Sequence, residues 1–115
     1  MTEIIDQAKW ALFLQEYAGQ NKGRPTRLGV FEKPDGIAND YWIEDGLPLV
    51  ALDIYTNKGK THVDIVFEDL THSIDGVTGL AKTGGNGADD GLDISEEAGR
   101  TTVMRFEDWP LRSED

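Results

Sequence analysis

The chain has 115 residues, enough for one domain of ordinary size and too few for two. Asp and Glu number 22 against 11 Lys and Arg, and the formal charge of −11 repels phosphates and anionic headgroups, so neither nucleic acid nor a membrane is an expected partner. The absence of cysteine excludes disulfides, thiolate metal sites and Cys nucleophiles.

The first residues, Met-Thr-Glu-Ile-Ile-Asp, carry no basic n-region, and no stretch approaches the roughly 20 apolar residues of a membrane span. A soluble, cytoplasmic protein is the expectation. Trp10, Phe13, Leu14 and Tyr17 then fall at i, i+3, i+4 and i+7, one stripe of a 3.6-residue period. The spacing predicts a helix over about residues 7–18, capped by Asp6 and stopped by Gly19. Ile5 and Trp10 have the spacing of a hydrophobic staple, and Leu12 lies off the stripe.

From residue 26 the period changes to two. Strands are predicted at about 26–32, 40–44, 48–56, 61–69, 73–83 (one strand or two), 90–95 and 100–106, and a tail over 107–115. Lys33-Pro34-Asp35-Gly36 reads as a turn. Lys58-Gly59 reads as a hairpin turn that sets Ile54 opposite Val63, Leu52 opposite Ile65 and Val50 opposite Phe67, with all six on one face. In the last hairpin, Glu97-Ala98-Gly99 with a left-handed Gly99 pairs Ile94 with Thr102 and Leu92 with Met104. The expected class is α+β: one domain over 1–115, an N-terminal amphipathic helix packed on a meandering antiparallel sheet of about six strands, open or barrel-like.

Trp10-x-x-Phe13-Leu14-x-x-Tyr17, Lys22-Gly23-Arg24, Leu47-Pro48-Leu49, Leu70-Thr71-His72-Ser73-Ile74 and Leu92-x-Ile94 followed by Gly99-Arg100-Thr101-Thr102 and Phe106 form a series across residues 5–106. The series resembles a family of small bacterial proteins grouped as a domain of unknown function. The resemblance implies a single domain in a bacterial cytoplasm and no particular activity. The Gly-rich stretch at 84–91 and Trp109-Pro110-Leu111 depart from it.

Three constellations bear on chemistry. Gly84-Gly85-Asn86-Gly87-Ala88-Asp89 matches the opening of a calcium-binding nonapeptide, but the apolar position holds Gly91, and a single copy has no stacked turn to share an ion with. Asp89, Asp90 and Asp93 are its candidate Ca²⁺ or Mg²⁺ ligands; the plainer reading is a solvated acidic loop. The hairpin register sets Asp53 opposite Asp64 and Tyr55 opposite His62, a second candidate cation or small-ligand face. The plainer reading there is two solvated carboxylates, relieved by a neighbouring Lys or Arg. His72 lies beside Ser73, but neighbouring strand residues point to opposite faces, so a structural His bonded to backbone is expected rather than a catalytic base.

No P-loop and no nucleophile elbow is present. Trp42, expected on the opposite face from Tyr41 and Ile43, marks a candidate binding surface together with Tyr55, His62 and His72. The expected function is therefore a small acidic binding or accessory module, acting through a protein partner or self-association as a homodimer, with no catalytic residue assigned and no cofactor beyond the candidate Ca²⁺ or Mg²⁺; whether it is an enzyme stays open, with the balance against. The alternative is a divalent-cation or small-ligand domain using Asp53, Asp64 and His62 or the loop 84–93.

Overall fold

The computed structural model describes residues 2–32, 39–83 and 91–106, without the side chains of residues 2, 32 and 39–45. The turn at 33–36, Asp89, Asp90 and the tail 107–115 lie outside the described residues.

Among the described residues eight strands form one antiparallel sheet: β1 (Thr2–Ile4), β2 (Pro25–Glu32), β3 (Asn39–Asn57), β4 (Lys60–Phe67), β5 (Thr71–Asp75), β6 (Val77–Thr83), β7 (Gly91–Glu96) and β8 (Thr101–Phe106). Their order is β1-β6-β7-β8-β2-β3-β4-β5, so the α+β class holds while about six strands becomes eight. The sheet is not a closed barrel: among the described residues β1 and β5 are its two ends and do not pair. β1 is the strand without a sequence signal, since three residues at an edge show no period; it pairs Ile4 with Ala81.

The helix begins later and ends later than 7–18. Gln7–Lys9 is a single 3₁₀ turn, and helix α1 runs Trp10–Asn21. Asp6 makes no side-chain cap bond. Gly19 is carried inside α1, and the stop comes at Gly23 (φ 89°), whose amide donates to Leu49 O at 2.8 Å. Burial of Trp10, Leu14, Tyr17 and Asn21 on one stripe drives the helix past Gly19. Trp10 Nε1 donates to Ile5 O at 2.9 Å, which ties the chain before the helix to its first turn.

The largest departure is β3. Residues 40–44 and 48–56 are one 19-residue strand, because Gly46 and Pro48 do not break it. Its pairing with β2 skips a residue twice, at Ile43 and at Gly46 (φ 87°), and its pairing with β4 skips Val50. Each bulge bends and twists the strand without ending it. β3 thus leaves β2 at Pro25–Pro48 and enters a second group, β3-β4-β5, that faces the first across the core.

That core is one cluster containing Trp10, Leu14 and Tyr17 of α1, Leu52, Val63, Ile65 and Ile74 of the second group, and Leu28, Leu80, Leu92, Ile94, Met104 and Phe106 of the first. The bulge corrects the predicted Val50–Phe67 pair: Leu49 takes that place and is buried, and Val50 turns out to solvent. Ile54–Val63, Leu52–Ile65, Ile94–Thr102 and Leu92–Met104 pair as expected.

Candidate functional site

Hairpin geometry fixes which backbone groups of β3 are used. Lys58 (φ 54°) and Gly59 (φ 79°) both have positive φ, the signature of a two-residue turn that matches strand twist. The residues flanking such a turn, Asn57 and Lys60, exchange hydrogen bonds, and bonded pairs then alternate along the ladder. Tyr55–His62 and Asp53–Asp64 are bonded pairs, so the amides and carbonyls of Leu52, Ile54 and Thr56 point away from β4.

On that side β2 has already ended at Pro25, opposite Pro48. The last backbone bonds there join Leu49 to Gly23 and Arg24, at 2.8 and 3.2 Å. Beyond Leu49, no backbone group among the described residues pairs with this edge.

Helix α1 stands beside the bare edge, and a groove of about 640 Å³ separates them. Ala11, Gln15, Ala18, Gly19 and Lys22 form its helical wall, and Val50–Tyr55 the other. Ala11, Ala18 and Gly19 carry little or no side chain, which leaves the gap open. A Cβ added at Gly19 meets nothing within 4 Å. Val50 and Tyr55 are exposed at the groove, and Leu12, adjacent to Gln15 and Gly19 by helical angle, is 60% exposed. The volume falls within the roughly 300–1,000 Å³ of ligand clefts. Sequence reasoning missed this site, because an unpaired edge is a property of where β2 stops. The small residues at 11, 18 and 19 were its one local signal.

The predicted cation face has a different arrangement. Asp53 and Asp64 are directly opposite each other, as expected, and Ser73 of β5 follows Asp64 across the sheet. His62, however, turns to Asp75: its Nδ1–H donates to Asp75 Oδ1 at 2.7 Å, and Tyr55 stacks on its ring at 5.0 Å and 14°. No Lys or Arg bonds Asp53 or Asp64 among the described residues, and Asp64 Oδ1 is buried without a hydrogen-bond partner there. Asp93, the described member of the loop set, accepts from Arg105 Nη1 at 2.8 Å. No group of three or more His, Asp or Glu side chains able to share an ion occurs among the described residues.

His72 points inward from β5, opposite Ile65, while Ser73 points outward, opposite Asp64. His72 borders a cleft of about 90 Å³ with Val30, Glu96, Arg100 and Thr102, where Arg100 donates to Glu96 at 3.0 Å. Burial lowers its pKa, opposed by the Glu96 carboxylate and reinforced by the Arg100 guanidinium. The backbone hydrogen bond expected for His72 does not occur among the described contacts. Trp42 lies opposite Gly29 in the β2–β3 ladder, and its side chain is outside the description.

No helix among the described residues is long and apolar enough to cross a membrane. No protein-family description matches the chain, and no curated protein is significantly similar to it. Its fold is similar to that in the crystal structure of the Bacillus subtilis YojF protein, with a TM-score of 0.54 and 14% identity over 95% of each chain.

Proposed function

We propose that this protein is a small acidic binding module that holds a protein partner in the groove between α1 and the second half of β3. One observation carries the reading: a groove of about 640 Å³ flanked by exposed Val50, Tyr55 and Leu12 on an otherwise highly charged chain. Exposed apolar side chains gathered at a concavity are the usual mark of a contact surface. The charge of −11 favours a basic partner, whose approach it accelerates at low salt.

The cation and catalytic readings draw less support. His62 is engaged by Asp75 and Asp93 by Arg105, and His72 and Ser73 face opposite ways.

The test is site-specific photo-crosslinking in a bacterial lysate, with the reactive group at Gln15 or Val50 in the groove and at Glu68 as control. Discrete adducts from the groove positions alone are expected. Adducts of equal yield from Glu68, or none from the groove, contradict the reading.

A further inference from the structure

We infer that the partner binds as an added β-strand on the bare edge of β3, and that its bound segment alternates apolar residues with Lys or Arg. The inference rests on the protein-binding reading and specifies its mode.

The backbone supplies the first part. Leu52 and Ile54 at the groove, and Thr56 just beyond it, present amides and carbonyls on the edge away from β4 at every second residue, spaced as a strand ladder requires. An extended peptide of about five residues satisfies them, and main-chain bonding of this kind gives affinity to strand addition. The other strand edges are poorer templates. β1 has three residues, and the outer edge of β5 carries exposed Thr71, Ser73 and Asp75. Short or charged edges are how sheets discourage such pairing, and the β3 edge between Val50 and Thr56 has one charge, Asp53.

The side chains supply the second part. An added strand sends alternate residues to opposite faces of the sheet. Residues on the inner face meet Leu52, Ile54, Ala11 and Ala18, an apolar surroundings with room beside Gly19. Residues on the outer face lie alongside Asp53 and Tyr55, with Asp64 next across the ladder. Two carboxylates with no cation bonded to them among the described residues favour Lys or Arg there. Lys22, at the helical wall, is the like charge that such a segment must pass.

The experiment follows amide exchange in the full 115-residue chain on adding an octapeptide of alternating Val and Lys. Exchange at Leu52, Ile54 and Thr56 slows at least about tenfold, while Asp53 and Tyr55, already bonded to β4, change little. A Val–Glu octapeptide binds at least about tenfold more weakly at low salt, and a Val–Lys peptide N-methylated at every residue, which has no amide donor on either edge, gives no protection. Gly19→Leu, at a helical position whose added Cβ meets nothing within 4 Å, places a bulky side chain at the groove, abolishes binding and keeps the fold. Ile54→Pro removes an edge amide without touching the β4 ladder and does the same.

Slow exchange at the three amides in the free monomer overturns the inference, because the chain then covers its own edge. Protection that grows with protein concentration overturns it in favour of a second copy. Groove crosslinks without any amide protection overturn strand addition while leaving the protein-binding reading intact.

Discussion

The hairpins β3–β4 and β7–β8 are written in the same local code and end in different surroundings. Each alternates apolar and polar residues about a turn with a positive-φ glycine, Gly59 in one and Gly99 in the other. β7 and β8 are flanked on both sides, by β6 and β2. β4 is flanked by β5, but among the described residues β3 past Leu49 is flanked by the groove alone. The comparison teaches that register is a local matter, whereas the availability of an edge is decided by where a distant strand stops. Here that point is Pro25 opposite Pro48.

Substitutions sharpen the contrast. Leu92→Ala in β7 empties a fully buried site and should cost about 2–5 kcal/mol in denaturant unfolding, whereas Ile54→Ala, half-buried at the groove, should cost about 1 kcal/mol. Equal losses would break the distinction between a covered and an open hairpin. Gly91→Ala comes next: its Cβ would run into the carbonyl of Met104 and the Arg105 side chain, and a loss of about 1–3 kcal/mol is expected. In β3–β4, Lys58→Asn relieves a left-handed lysine and should raise stability by about 0.5 kcal/mol.

A pH dependence separates the two hairpin ends as well. His72 abuts the β7–β8 end and has a folded pKa below its unfolded value near 6.5, because burial disfavours its charged form. The unfolded chain therefore binds the proton first. The contribution of His72 is fully present above about 6.5 and is lost as pH falls through the folded value. His72→Gln should flatten that part of the stability–pH curve in urea titrations, and an unchanged slope would contradict the assignment.

The register of both hairpins is legible near their turns, where two-residue alternation and turn chemistry agree, and it fails at Val50, where the bulge puts Leu49 opposite Phe67. Even the Asp53–Asp64 opposition followed from Lys58-Gly59. β3 was not legible as one strand, since Gly46 and Pro48 are breaks by any local rule, and only pairing with β2 and β4 turns them into bends. The helix start was displaced because Asp6 has the right chemistry for a cap and does not bond as one. Of the candidate site, the sequence points to Tyr55 and Asp53 as an ion or aromatic face and does not reveal the edge they border. In the sequence His62 groups with Asp53 and Asp64, because β5, which carries Asp75, has no fixed register there.

The central claim is that β3 beyond Leu49, among the described residues, is bonded on one side only. Amide hydrogen exchange of the free monomeric chain measures it residue by residue. The account predicts alternation, with Asp53 and Tyr55 slow and Leu52, Ile54 and Thr56 fast. Uniformly slow exchange from 52 to 56 would contradict it.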